Sequence, residues 1–123
     1  MDSVSIRVPA SPEYVGVVRL VAAGLAARLA FTVDDIDDLK IAVDELSAYV
    51  TGPQGRAGIL EVRFDVHPDR IEITGTGRLS PDDAVPEELT LFSRQILETV
   101  ADSAALRRLD GAPTFHVTKS TQR

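Results

Sequence analysis

The length and composition of the chain describe a single domain of ordinary size. Its 123 residues are 44% hydrophobic and 26% charged, which suits one hydrophobic core and excludes two. Because the chain has no cysteine, it can form neither a disulfide nor a thiolate metal site. A net charge of −6 has the wrong sign for attraction to phosphate, so nucleic acid is not an expected direct partner. We expect one domain over residues 1–123.

Metal and membrane binding are also not expected from the sequence. Neither of the two histidines, His67 and His116, has a partner at metal-ligand spacing. The longest apolar stretch runs from Val15 to Phe31, and Arg19 and Arg28 interrupt it. Such a stretch is typical of neither a signal peptide nor a membrane span. We therefore expect a cytoplasmic protein.

The first predicted elements are a strand and a helix. Apolar residues alternate from Val4 to Val8, which predicts a strand that Pro9 closes. Ser11 and Pro12 then predict a helix start, with serine as the cap and proline at the first helical position. Apolar and small residues continue at helical spacing to about Ala30. A buried first helix is the expected result.

A second helix is predicted from Thr32 to about Thr51. Thr32 is a capping residue, and the acidic first turn that follows suits the positive end of the helix dipole. The acids of residues 34–45 outnumber the single Lys40. Apolar residues at helical spacing predict the core-facing stripe, which contains Ile36, Leu39, Val43, Leu46 and Val50.

The second half of the chain predicts two hairpins that flank a third helix. Alternation over Ile59–Val66, followed by a turn and Ile71–Thr74, predicts the first hairpin. Apolar residues from Leu89 to Val100 recur every three or four positions and predict the helix. The last hairpin is predicted over Ala104–Leu109 and Thr114–Thr118, around an Asp-Gly dipeptide.

The predicted order of elements is β-α-α-β-β-α-β-β. Three amphipathic helices need a common apolar surface on which to bury their stripes. We therefore predict an α+β fold, a two-layer sandwich in which helices cover a mixed, mostly antiparallel sheet.

Two separated segments of the chain carry a family resemblance. Residues Val8–Leu20 (VPASPEYVGVVRL) and Asp34–Glu45 (DDIDDLKIAVDE) resemble the anti-sigma factor kinases of the RsbW and SpoIIAB type. These proteins belong to the histidine-kinase-like ATPase (Bergerat) superfamily. The predicted order of elements matches that fold over nearly the whole chain. In addition, two motif blocks at the correct interval are more specific than one short pattern.

The resemblance implies a nucleotide site on the second helix, which this sequence keeps only in part. In the family, an acidic residue acts as general base, and an asparagine one helical turn later holds magnesium. Glu45 stands at the acidic position, but Tyr49 stands where the asparagine would be. A phenol is a poor magnesium ligand. Glu45 is thus either the family base or an ordinary acid, solvated or paired with a basic side chain on the helix. Tyr49 either fills the vacated pocket or is a core tyrosine.

The family's adenine-binding motif is also degenerate. The aspartate that would read adenine falls on Gly75, the first motif glycine on Gly77, and the second on Leu79. A Gly-Thr-Gly run at a strand end is more typical of a turn than of a phosphate loop. Residues Pro81–Ser93 contain no glycine, so the flexible phosphate lid of the family is missing from the sequence.

These departures favour one function and leave two alternatives. We expect an anti-sigma factor that sequesters an alternative sigma factor and is relieved by an anti-anti-sigma (STAS-domain) antagonist, with no cofactor and no kinase activity. The first alternative is an active serine-protein kinase of the same family, which would bind ATP and magnesium. The second is a pseudo-ATPase that serves as an adaptor or dimerisation module. A homodimer is a further expectation from the resemblance.

The resemblance implies sigma-factor contacts from the end of the first helix and the start of the second. The partner-binding candidates are Arg19, Arg28, Asp34, Asp35, Asp37 and Asp38. The acidic residues would steer a basic partner electrostatically, or they serve only the helix dipole and solubility. Arg19 lies in an otherwise apolar helix, so its charge either reaches solvent along the helix surface or meets an acid across an interface.

Overall fold

The eight elements occur in the predicted order in a computed structural model, which describes residues 1–121. The strands are β1 (Asp2–Pro9), β2 (Gly58–Val66), β3 (Arg70–Leu79), β4 (Ser103–Leu109) and β5 (Ala112–Ser120). The helices are α1 (Pro12–Ala26), α2 (Val33–Thr51) and α3 (Leu91–Val100).

The strands form one five-stranded sheet in the order β1-β2-β3-β5-β4. Each neighbouring pair of described strands is antiparallel, so the parallel pairing that a mixed sheet would contain does not occur. The α+β sandwich is confirmed. Its outer strands are β1 and β4, and the β4–β5 hairpin turns at Asp110 and Gly111, whose φ angles of 51° and 79° suit the predicted Asp-Gly turn.

The core lies between one face of the sheet and the helices. Along β3 every second residue faces the helices and is buried, from Ile71 through Ile73 and Gly75 to Gly77. The predicted stripe of α2 also packs here, although Ile36 at its start is only partly buried. The largest fully buried side chains include Phe64, Phe115, Leu39, Leu46, Leu60, Ile71 and Ile73.

The starts of α1 and α2 agree with the sequence predictions, whereas α3 begins at Leu91, after its Thr90 cap, rather than at Leu89. The end of α1 also differs. Thr32 caps α2 with a capping box, in which its hydroxyl accepts the Asp35 N–H at 3.0 Å and the Asp35 carboxylate accepts the Thr32 N–H at 3.1 Å. Ser11 has the extended backbone of a cap but no side-chain capping bond. Helix α1 ends at Ala26 rather than near Ala30, and residues 27–30 form turns instead of a further helical turn.

Strand β3 is longer than predicted. It runs through Gly75 and Gly77 to Leu79, so the interpretation of the Gly-Thr-Gly run as a turn was wrong. The run continues the alternation of the strand, with glycine on the helix-facing side. Among residues 1–121, no helix has both the length and the apolar character needed to cross a membrane.

Candidate functional site

The two family positions on α2 face the start of α3. Glu45 and Tyr49 lie one helical turn apart and are both half-buried. The Ser93 hydroxyl donates to Oε2 of Glu45 at 2.6 Å, and the Tyr49 hydroxyl lies 2.7 Å from the Ser93 hydroxyl. The hydrogen bonds therefore form a chain in which Tyr49 donates to Ser93 and Ser93 donates to Glu45.

Thr90 completes this network at the N-terminus of α3. Its hydroxyl caps the helix by accepting the Ser93 N–H at 3.1 Å, and its own N–H donates to the Tyr49 hydroxyl at 3.0 Å. We call these four residues, Glu45, Tyr49, Thr90 and Ser93, the α2–α3 clasp. The clasp satisfies backbone donors at the start of α3 that would otherwise need water or a ligand.

The surroundings of Tyr49 change its acidity. Burial raises the pKa of the phenol, but hydrogen bonds with Ser93 and Thr90 outweigh burial and lower the pKa below the ordinary value of 10.0. Tyr49 thus links α2 to the start of α3 through hydrogen bonds with Ser93 and Thr90. The sequence alone left open whether its ring fills the vacated pocket or belongs to the core.

Removing the Tyr49 hydroxyl should loosen the start of α3. We expect Tyr49→Phe to cost about 1–2 kcal/mol of unfolding free energy, since Thr90 and Ser93 lose a partner while the ring stays. Amide hydrogen exchange at Thr90 and Ser93 should accelerate more than exchange in the centre of the sheet. The matched control is Tyr14→Phe, because Tyr14 is exposed on α1. Equal exchange in wild type and Tyr49→Phe would contradict the clasp.

The position of the adenine-reading aspartate is closed by an aromatic ring. Gly75 pairs with Phe115 across β3 and β5, and the Phe115 side chain is fully buried. A Cβ atom on Gly75 would lie 2.2 Å from Cζ of that ring, far inside van der Waals contact. The ring therefore occupies the space into which any side chain at Gly75 would point.

The next motif glycine is closed in the same way. A Cβ atom on Gly77 would lie 2.8 Å from Cγ1 of Val50 on α2 and 3.1 Å from Cγ of Pro113 on β5. The glycine lets helix and strand approach closely. Gly75 and Gly77 thus serve core packing, and the helix-facing surface of β3 at these positions is covered by protein.

The residues at this site do not fit a magnesium-nucleotide complex. The hydroxyl of Tyr49 and the carboxylate of Glu45 are engaged with Thr90 and Ser93, and Mg²⁺ requires compact oxygen ligands that are free to bind it. Within residues 1–121, no group of three or more histidine or acidic side chains is placed to hold a metal ion.

Arg19 meets an acid inside its own chain. Its guanidinium donates to both carboxylate oxygens of Asp44 at 2.8 Å, which links α1 to α2. The pair is 39% and 45% exposed at the two side chains, so it contributes at most about 1 kcal/mol to stability. The pair lines a groove of about 490 Å³ between the start of α1 and the end of α2. Arg28, at the other end of this helix layer, is exposed.

The acidic residues at the start of α2 divide into two groups. Asp35 is only 6% exposed and lies 4.0 Å from Nζ of the buried Lys119, while Asp38 lies 3.5 Å from the same atom. These two carboxylates hold α2 against β5. Asp34 and Asp37 are exposed, so an electrostatic surface for a partner would depend on them rather than on Asp35.

Sequence reasoning missed four residues that define this region. Ser93 and Thr90 had a signal, since a threonine three residues before a serine at a helix start is a capping pattern. Phe115 and Lys119 had none, because their partners Gly75 and Asp35 are brought to them by the pairing of β3 with β5 and by the packing of α2 on the sheet.

Comparison with known proteins supports the resemblance. No protein-family model matches the chain. The serine-protein kinase RsbW of Bacillus velezensis is 43% identical over 76 residues, and the RsbW of Bacillus pumilus is 41% identical over 78 residues. Each alignment covers 59% of this chain and 48% of the relative, so the chain spans about half the length of these curated relatives.

One alignment covers almost the whole chain. The serine-protein kinase RsbW of Bacillus licheniformis is 33% identical over 144 residues, which include 99% of this chain and 88% of the relative. The alignment is longer than the 123 residues of the chain, so the relative has residues with no counterpart here. With this match and the fold described above, the chain belongs to the RsbW and SpoIIAB family.

Proposed function

We propose that this chain is an anti-sigma factor that sequesters an alternative sigma factor without using ATP, and that an anti-anti-sigma antagonist with a STAS domain releases it. In this proposal the chain acts in the cytoplasm by covering a surface of its partner. Release then depends on the concentrations and affinities of the three proteins, because no phosphate transfer resets the antagonist.

The observation that carries this proposal is the closed α2–α3 clasp. Glu45 is the only family residue of the helix motif that remains, and its carboxylate holds Ser93 at 2.6 Å. A general base acts in phosphoryl transfer only when an acceptor hydroxyl and a phosphate donor are positioned beside it. Because Phe115 also covers Gly75, both halves of the family's nucleotide site are used for internal contacts.

The surface that best suits a protein partner is the outer side of α1 and α2. Tyr14, Val17 and Leu20 recur at helical spacing on α1 and are exposed, and Ile41 is exposed on α2. The Arg19–Asp44 pair joins the two helices beside them. Apolar residues around a charged pair are typical of an interface core with a polar contact that fixes orientation.

We expect Leu20→Glu to weaken partner capture at least tenfold and leave stability nearly unchanged. Leu20 is 73% exposed, and a carboxylate there would be buried without a partner in the complex. The measurement is affinity capture from the native cell with mass spectrometry, followed by titration of the captured sigma factor. Ser5→Glu, at an exposed position of β1, is the control. Capture of no sigma factor by the wild type would favour the adaptor function.

The active serine-protein kinase is the second candidate, because Glu45 is retained and the relatives carry that name. Labelled ATP with the captured antagonist distinguishes the two. We expect no phosphoserine on the antagonist under conditions in which an RsbW from Bacillus subtilis, 41% identical over 75 residues, serves as the positive control. Phosphoserine that disappears in Glu45→Gln would establish the kinase instead.

A further inference from the structure

We propose that the free edge of β4 and the groove beside α3 bind an extended, basic peptide segment of a partner protein by strand addition. This surface is separate from the α1–α2 face and from the clasp. The proposal stands on three observations, which concern the strand edge, the groove and its charge.

Strand β4 has an open hydrogen-bonding edge. Among the described strands, β4 pairs with β5 alone and ends the sheet. Its outer backbone N–H and C=O groups therefore lack a strand partner and form a template for another chain. An added strand satisfies these groups whatever its side chains are, which provides affinity.

A groove runs along this edge rather than over one face of the sheet. It measures about 480 Å³ and is lined by six consecutive residues, 101–106, of which 103–106 belong to β4, together with Leu97 of α3. Consecutive residues point to opposite faces of a strand, so only a groove at the edge touches all of them. An extended segment there would place every second side chain between β4 and α3, against Leu97, Ala104 and Leu106.

The lining of the groove is mostly acidic, which favours a basic peptide segment. Its acidic lining residues are Glu88, Glu98 and Asp102, against one lining base, Arg94. The exposed bases Arg107 and Arg108 of β4 lie beyond the groove, so the complementary bases are expected in the part of the added strand beside residues 102–106. The Asp102 carboxylate accepts the Ser120 N–H at 2.8 Å, whereas Glu88 and Glu98 are exposed and have no ion pair among residues 1–121. Lysine or arginine in the added strand would complement these two carboxylates. An acidic segment would be repelled.

The test uses the full chain and random ten-residue peptides displayed on phage. We expect the selected peptides to alternate apolar residues with lysine or arginine. For a synthetic selected peptide, N-methylation of one alternating set of amides should weaken binding at least tenfold, and N-methylation of the other set should not. Glu98→Lys should also weaken binding at least tenfold. Glu87→Lys is the matched control, because Glu87 is exposed next to this groove but does not line it.

Several outcomes would overturn the proposal. These are selection with no enrichment over the starting library, enrichment of acidic peptides, and binding that Glu98→Lys leaves unchanged. Sedimentation of the chain alone tests a second copy as the occupant. A dimer that Ala105→Lys breaks would assign the edge to self-association and overturn the peptide assignment. A monomer, or a dimer that Ala105→Lys leaves intact, supports an edge that is open to a partner.

Discussion

Restoring the family's aspartate with Gly75→Asp is expected to destabilise the protein instead of restoring ATP binding. The new Cβ atom would lie 2.2 Å from the fully buried Phe115 ring, and the carboxylate would follow it into the core. Overpacking and burial of an unpaired charge together should cost more than about 3 kcal/mol. Urea denaturation should show this as a lower midpoint, with no gain of affinity for ATP.

The neighbouring residue provides the control for this substitution. Thr74 lies on the same strand and points to the face opposite Gly75, so Thr74→Asp places the same charge without meeting Phe115, and opposite the basic Arg63. We expect it to change the unfolding free energy by less than about 1 kcal/mol. A Gly75→Asp variant as stable as Thr74→Asp would show that the core can accept a side chain there, against our description of the site.

Lys119→Met is expected to cause the second largest loss of unfolding free energy, after Gly75→Asp. The Lys119 and Asp35 side chains are 7% and 8% exposed, and Asp38 at 36% exposure completes the group. Methionine keeps the volume but removes the charge, which leaves Asp35 buried with only its capping bond to Thr32. Loss of one partner from a buried pair typically costs several kcal/mol, and we expect about 2–4 kcal/mol here.

Lys40, a lysine on α2 with an exposed side chain, provides the comparison. Lys40 lies 3.5 Å from Asp37, and both side chains are well exposed, at 39% and 57%. Lys40→Met should therefore cost less than about 0.5 kcal/mol in urea denaturation. If the two substitutions have equal effects, Lys119 is not the residue that holds α2 to β5.

Local sequence patterns predicted the elements because each element carries its own signals. The apolar spacing of α2, its Thr32 cap and the Asp-Gly turn all lie within a few residues of what they specify. Gly75 shows where this reasoning fails. Glycine at a strand end favours a turn locally, but opposite Phe115 it is the only residue that leaves room for the ring.

The site was predictable in part and for the same reason. The spacing of four residues placed Glu45 and Tyr49 on one face of α2, and the family resemblance implied that these positions belong to a nucleotide site. Their partners Thr90 and Ser93 lie more than forty residues later, at separations of 41 to 48 positions. The sequence likewise did not predict that Asp44 is the partner of Arg19, since this pair depends on how α1 packs on α2.

The central claim is that protein side chains have replaced the nucleotide of the family, and calorimetric titration of the intact chain with ATP tests it most directly. With and without Mg²⁺, we predict no binding at nucleotide concentrations up to the order of 1 mM, where a specific site would give measurable heat. Magnesium-dependent affinity in the micromolar range would contradict the account.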